Sequence, residues 1–457
     1  MNPLEEFTMA GCPVHHHGMA KARGCTPLSV SKFSKLFPGV NALAVTEEDA
    51  RYLGGPGGLM HDFNGETADS TIPAGYIFFA QFIDHDVTLD VESDLRGAPL
   101  PDSKIAQLGN VRSASLDLDC VYGFGPEASP HVYDPARPGR LAVSPDGNDV
   151  ARSPAGVALI GDPRNDENLF VSQMQLLFHL FHNRYYEERV GPVPGNEHAR
   201  FEAAQEQVRY HYQWLVLFDF LKRLCDREVY KAAVTELLKL EQGQTPAFPY
   251  HFGPDAHGEL TMPVEFSVAA YRVGHTMVRS SYAVNSVHTD VELFDEEFGT
   301  LGFTAVPEDL VVDWRYLLPV DPCLAPRMSK AVDTKFADEL QSLPVVGSNN
   351  PVDRALAFRN LLRGNALSLA SGQDVAAALQ ANYPSISPMN PSIPDPAFSH
   401  LSTATPLFYY LLAESEAVHA GERFGPVGSA ILLEVFGGML RHCSSFLRHD
   451  TPWQPDP

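Results

Sequence analysis

The stretch AQFIDHDVTLD, residues 80–90, decides how the chain is read. Gln81, Asp84 and His85 stand at i, i+3 and i+4, so on a helix they share a face, while Asp86 points about 100° away. Phe78, Phe79, Phe82 and Ile83 surround these polar groups and predict burial. An imidazole flanked by a carboxamide and a carboxylate in a buried pocket can take and return protons; the second carboxylate is left to serve something behind the helix. A polar face with satisfied charges is the plainer alternative. Ile72, Ile77, Phe78, Phe82 and Val87 recur at three- and four-residue steps and Pro73 suits a helix start, so the spacing predicts one helix over Ile72–Thr88.

Working outward, helical periodicity returns in Asn168–Val190, Glu197–Leu224, Glu228–Leu240, Pro263–Val284, Val352–Arg363, Gly372–Asn382, Thr405–Ala420 and Pro426–Phe446. Residues 92–160 are rich in Pro, Gly, Asp and Ser and read as a long excursion with a few short strands or turns. Residues 1–45, punctuated by glycines and prolines, read as an irregular arm over the body, and His15–His17 within it as an exposed polar loop. The Pro-rich stretches 384–396 and 451–457 read as a loop and a tail. Strand-like alternation is scarce and no repeat of 20–50 residues is visible. The expectation is a mainly α fold with few short strands, residues 46–457 forming one domain.

The chain has 457 residues, with 33 Lys+Arg against 57 Asp+Glu, a formal charge of −24. No basic stripe offers itself to a phosphate backbone, which argues against nucleic acid and anionic membranes as partners. No apolar run reaches the ~20 residues of a spanning helix. The first thirty residues hold no apolar stretch of secretory length, and the six cysteines (Cys12, Cys25, Cys120, Cys225, Cys323, Cys443) include no C-x-x-C pair. A cytoplasmic protein with mostly reduced thiols is expected, or one exported by a non-classical route.

Other segments carry chemistry of their own. In GDPRNDENLF (161–170), Arg164 and Glu167 stand three apart at the mouth of a predicted helix, an arrangement that as a bland reading only caps it. In RSASLDLDCVYG (112–123), Ser113, Ser115, Asp117 and Asp119 occupy every second position; with Asp86 they would offer three carboxylates plus hydroxyl and carbonyl oxygens to a hard cation such as Ca²⁺. An edge strand with a solvated face would look alike. AAYRVGHTMVRSS (269–281) places His275 beside Gly274, which lets something flat approach the backbone, and FRNLLRGN (358–365) supplies Asn360 as a partner for that imidazole. HLFH (179–182) has no Glu in the metalloprotease position, which favours a structural role over a metal pair.

Taken in order, QFIDHD, DLDCVYG, DPRNDEN with FHN at 181–183, and YRVGH followed by RNLLRG resemble the peroxidase–cyclooxygenase superfamily, the animal-type haem peroxidases, and its compact bacterial members most. The resemblance implies haem b and a structural Ca²⁺. It makes His85 the distal histidine, Arg164 the distal arginine and Gln81 the glutamine near the halide or water site. It makes His275 the iron ligand and Asn360 the group that hydrogen-bonds it, with Arg363 beside the haem. Asp84 and Glu167 match carboxylates that can become ester-linked to haem; Asp86, Ser113, Ser115 through its carbonyl, Asp117 and Asp119 match the calcium loop. The implied activity reduces hydrogen peroxide and oxidises a halide, thiocyanate or a phenolic donor through a high-valent iron–oxo intermediate.

The chain also departs from the pattern. Gly364-Asn365-Ala366 replaces an Arg-Asp-His run near the haem propionates, Asn168 excludes a sulfonium link, and Leu180-Phe181 replaces an Arg-Glu pair. Two rival activities are a fatty-acid dioxygenase and a non-catalytic haem scaffold. The dioxygenases place a radical-forming Tyr three residues before the proximal His, where this chain has Arg272, and Tyr271 lies one residue, about 100° of helix, away. A scaffold would need neither His85 nor Arg164.

Overall fold

The structure, a computed structural model, describes residues 30–455 other than 64, 66, 67, 91, 92, 191–195, 297, 345, 450 and 451. His15–His17, Cys12, Cys25 and residues 1–29 of the expected arm lie outside them. Nine α-helices of eight residues or more are described: α1 Glu47–Gly54, α2 Gly75–Val87, α3 Leu169–Glu188, α4 Glu197–Leu215, α5 Arg227–Leu237, α6 Leu356–Ala366, α7 Gly372–Gln380, α8 Leu407–His419 and α9 Pro426–His442. One contiguous core joins them, with a small satellite of Val150, Ile160 and Leu176.

At the centre, α2 lies against α3. Phe82 stacks on Phe178 with ring centroids 4.5 Å apart, and Phe78 on Phe170 at 4.4 Å. Such offset aromatic pairs add to the burial of their large apolar area, which fixes the two helices' rotation about each other. Helix α3 begins where Asn168 takes the N-cap, its Oδ1 accepting from Val171 N. Gly302, with φ of +87°, passes so close to the turn before α3 that a Cβ there would lie 2.3 Å from Asp166 O; only glycine permits this contact. Gly54 does the same for α6, where a Cβ would sit 2.7 Å from the Ala357 backbone.

Three expectations need correction. The helix expected over Ile72–Thr88 starts at Gly75, because Asp69–Pro73 pairs antiparallel with Met328–Lys330 as a strand and Pro73 closes that strand. The helix expected over Val352–Arg363 is interrupted at Ala355 between Pro351–Arg354 and α6. The helix expected over Pro263–Val284 is broken: Val264–Ser267 makes one turn, Ala270–Met277 is a 3₁₀ helix, and Ser281–Tyr282 is a strand paired with Val291–Glu292. Five valines and Gly274 in that segment lower its α propensity, and the tighter turn takes over.

The excursion over 92–160 holds as expected, with single helical turns and isolated bridges such as Val143 to Val150. Within the expected arm, Ser31–Ser34 is a strand between Gly109–Asn110 (antiparallel) and Met262–Pro263 (parallel). Glu265, buried, accepts from the amides of Leu36 and Phe37 and ties that strand's continuation to the segment leading to His275. No helix among the described residues is long and apolar enough to cross a membrane.

Candidate active site

Helix α2, the turn before α3, the 3₁₀ helix and α6 enclose a cavity of about 250 Å³. Its lining includes Gln81, Asp84 and His85 from α2, Arg164, Glu167 and Asn168 from the turn, His275 and Arg272 from the 3₁₀ helix, and Asn360, Arg359 and Arg363 from α6. Ile72, Ile77, Phe220, Leu224 and Phe424 supply apolar wall. All the residues expected around a haem thus meet in one place, and three of those expected around a cation, Asp86, Asp117 and Asp119, converge behind α2, with Ser113 bonded to Asp117.

His85 is buried, and burial followed by the charge of Arg164 pushes its pKa down to about 4, so the ring is neutral at pH 7. Its Nδ1 lies 2.7 Å from Asn165 Oδ1, an acceptor, so Nδ1 carries the proton and Nε2 keeps its lone pair. Nε2 is 3.6 Å from Glu167 Oε1. Glu167 is pushed up to about 7 by burial and accepts from Gln81 Nε2; Gln81 Oε1 accepts in turn from Asn168 Nδ2 at 3.1 Å.

Arg164, 1% exposed, is clamped by Asp162 through Nε at 3.1 Å and Nη2 at 2.7 Å, and Nη2 also donates to His85 O. Asp162 lies 2.9 Å from Arg112 Nε as well, and Arg112 donates to Asp119 Oδ1 at 3.2 Å. Burial alone would raise the Asp162 carboxyl, but the two guanidiniums outweigh it and hold the group well below the usual carboxylate range. Removing either arginine would leave a buried charge half-paired.

On the 3₁₀ helix, burial and Arg272 push His275 down to about 3. Asn360 Nδ2 lies 3.1 Å from its Nδ1; turning this amide end for end, which exchanges two atoms of nearly equal shape, would bring Oδ1 to the ring, so that Nδ1–H donates and Nε2 is left as a neutral ligand for a metal. A Cβ built on Gly274 meets nothing within 4 Å, so the space beside His275 is open. The 3₁₀ geometry turns about 120° per residue, so Arg272, three before His275, shares its face. Arg272 lies 3.3 Å from Asp84, whose carboxyl is held low by Arg272, His85 and Arg164 against the opposing effect of burial. Tyr271 also lines the cavity, and its hydroxyl is buried without a hydrogen-bond partner.

Behind α2, the carboxylates of Asp86, Asp117 and Asp119 converge, with ligand atoms within 4.8 Å of one another. Asp86 Oδ1 and Asp117 Oδ1 are buried and have no hydrogen-bond partner. Burial and mutual repulsion raise Asp86 far above the carboxylate range, and burial pushes Asp119 up to about 7. Leu118, at φ +59°, turns its amide onto Asp86 Oδ2, an uncommon backbone state for a branched side chain. Two orphaned oxygens in a three-carboxylate cradle fit a hard dication. Ser113 Oγ donates to Asp117 Oδ2, and Ser113 and Ser115 alternate with the buried Ala114 and Leu116 as their spacing predicts.

The sequence reading gave no role to Asn165, Asp162, Arg112 or Arg359. Asp162 and Asn165 lie inside the quoted DPRNDEN segment, and a polar residue two positions from a buried arginine was the available signal. Arg112 and Arg359 become visible only once distant segments meet. Arg359 sits one turn from Arg363 on α6, where the missing Arg-Asp-His run had removed propionate partners; burial and the neighbouring Arg363 push it down to about 10.

A profile of the animal haem peroxidase family matches residues 96–380, more than half of the chain. The chain belongs to this family. No curated protein matches it. Among solved structures, it is similar to peroxidase A from Dictyostelium discoideum, with a TM-score of 0.60 and 15% identity over 94% of this chain and 90% of that one. It is also similar to a tyrosine-to-phenylalanine variant of the Oryza sativa fatty acid alpha-dioxygenase with palmitic acid, with a TM-score of 0.58 and 15% identity over 87% and 72%. The Arabidopsis thaliana fatty acid alpha-dioxygenase gives 0.58 and 14% over 94% and 76%. The fold is therefore the mainly α fold of these proteins, and family membership implies haem. The matched span begins after α2, so the residues of α2 take their place in the site from geometry.

Proposed function

We propose that the chain is a haem peroxidase that reduces hydrogen peroxide and oxidises a small donor, a halide, thiocyanate or phenol. The observation that carries this reading is that His85 and His275, on different elements, line one cavity, each with Nδ1 within hydrogen-bonding distance of an asparagine carboxamide. His275 would hold the iron, Asn360 would keep that ligand neutral, and Arg272, Arg359 and Arg363 would take the porphyrin carboxylates. Bound haem supplies the redox chemistry, taking two oxidising equivalents from peroxide and passing them to the donor.

The chain's own part is acid–base and electrostatic. His85 Nε2 removes the proton from the near oxygen of peroxide and returns it to the far oxygen as the O–O bond breaks, so that water leaves. Arg164, held rigid by Asp162, offers positive charge to the departing oxygen. Gln81 and Asn168 hold polar atoms beside Glu167, and Asp84 and Glu167 are placed at the cavity wall where ester links to haem could form during turnover. The cradle of Asp86, Ser113, Ser115, Asp117 and Asp119 would hold Ca²⁺ and lock α2 from behind.

A second reading, a fatty-acid dioxygenase, is favoured by the unpartnered hydroxyl of Tyr271 in the cavity and by the dioxygenase neighbours. One experiment separates the two: the Soret band is followed after one equivalent of hydrogen peroxide, then with bromide or a phenol. Loss of intensity restored by either donor supports the peroxidase. Oxygen uptake with a fatty acid, and no response to either donor, supports the dioxygenase.

A further inference from the structure

A chain of hydrogen bonds runs from His85 through the core to the backbone carbonyl of Ala142. His85 Nδ1 meets Asn165 Oδ1 at 2.7 Å, Asn165 Nδ2 meets Gln175 Oε1 at 2.7 Å, Gln175 Nε2 meets His179 Nε2 at 2.8 Å, and His179 Nδ1 meets Ala142 O at 3.0 Å. Gln175 and His179 stand at i, i+4 on α3, and both are fully buried. We propose that Gln175 and His179 are positioning residues that set which ring nitrogen of His85 carries the proton, and so keep Nε2 ready to act as a base.

The direction of the chain is forced from its far end. A carbonyl oxygen only accepts, so His179 Nδ1 must carry a proton. Burial pushes His179 down to about 4, so its ring is neutral and Nε2 has only a lone pair to offer. Gln175 must therefore turn its NH₂ to His179, and a second acceptor, Cys120 O at 3.4 Å, pins the amide the same way. Gln175 Oε1 is then left for the Asn165 NH₂, and Asn165 Oδ1 for His85, which has to donate from Nδ1. Reversing any link would set two lone pairs or two protons face to face in the buried core. An unrestrained imidazole more often carries its proton on Nε2, the atom that must take the peroxide proton, so the wire holds the less common form. It also gives His179, left without a chemical role by its HLFH context, a function that needs no metal.

The kinetic consequence rests on the peroxidase reading; the tautomer itself does not. The test is ¹⁵N NMR of the imidazole nitrogens in the full-length protein, prepared as the diamagnetic ferrous carbon monoxide complex, beside stopped-flow mixing of the ferric protein with peroxide. The parent is expected to show His85 protonated at Nδ1. Gln175→Leu and His179→Phe are expected to move that proton to Nε2 and to slow the peroxide reaction by roughly 10²- to 10⁴-fold, with the iron–histidine stretch of the ferrous protein unchanged. His179→Gln, whose amide can donate to Ala142 O and accept from Gln175, is expected to restore both readouts, which a loss of packing alone would not. A parent protonated at Nε2 overturns the proposal without any variant, as does a folded Gln175→Leu that keeps Nδ1 protonated. Absence of a Soret band would instead count against the peroxidase reading, and the same NMR measurement on that protein would still decide the tautomer.

Discussion

The two histidines of the cavity are held in unlike ways. His85 rides a thirteen-residue helix whose rotation is set by stacked phenylalanines, and its ring is fixed by a buried polar wire. His275 sits in an eight-residue 3₁₀ helix with Asn360 on one nitrogen and open space beside Gly274. The difference follows from the work each would do. An iron atom orients its own ligand once one nitrogen is free, so a single hydrogen bond suffices. An acid–base has no such anchor, and protein groups alone must set its tautomer, its charge state and its distance to the substrate.

The strongest test of that asymmetry is to remove each ring. His275→Ala should cost the protein its haem, read as loss of the Soret band after gel filtration. His85→Ala should keep the haem and lose ~10²- to 10⁴-fold in the rate constant for peroxide. Equal haem loss in both variants would break the comparison, because it would make His85 an iron ligand too.

Much of this division was legible in the sequence where it depends on local spacing. The face shared by Gln81, Asp84 and His85, with Asp86 behind, follows from helical geometry alone, and the structure places all four accordingly. The alternation over Ser113–Asp119 likewise survives, although a left-handed turn at Leu118 replaces the extended backbone assumed there. What could not be read is whatever is settled by contact between distant segments. Asn165 reaches His85 across eighty residues, Arg112 reaches Asp162 across fifty, and nothing in either local pattern points to the other. The 3₁₀ geometry around His275 was missed for another reason: apolar periodicity over 263–284 does not separate an α helix from a tighter one, whereas its valines and glycine do lower the α propensity.

Calcium removal probes the back of the His85 side. In the cation-free protein Asp86 and Asp119 titrate above their unfolded values, Asp119 at about 7, so their protonated forms are favoured on folding. That contribution is complete below the unfolded value near 4 and is lost as pH rises through about 7. Chelation should therefore lower the melting temperature more at pH 8 than at pH 5, and Ca²⁺ at a hundredfold excess over its Kd should return about 2.7 kcal/mol. A chelation effect independent of pH would mean that these carboxylates do not hold the ion.

On the His275 side the matching change is smaller. Asn360→Leu leaves the iron ligand in place and removes only what orients it, so peroxidase activity should fall by about 10- to 100-fold with the haem retained. Asn360→Asp should instead keep the ring oriented and lower the reduction potential, since a carboxylate makes the imidazole a stronger donor. If Asn360→Leu equalled His275→Ala, the single hydrogen bond would carry more than orientation.

The smallest expected effect is the most discriminating. With His85 at about 4, its lone pair is available throughout the neutral range, so the peroxide rate constant of the folded protein should change less than about twofold between pH 8 and 5.5 and fall below pH 4. Folding stability should behave otherwise. A histidine whose pKa is depressed on folding contributes stability that is present above its unfolded value near 6.5 and is lost as pH falls towards about 4, and His85, His179 and His182 all do so. Between pH 6.5 and 4.5 the rate should hold while the melting temperature drops. A rate that tracked the melting temperature over that interval would place the proton on His85 near pH 6 and remove the burial on which its role as a base depends.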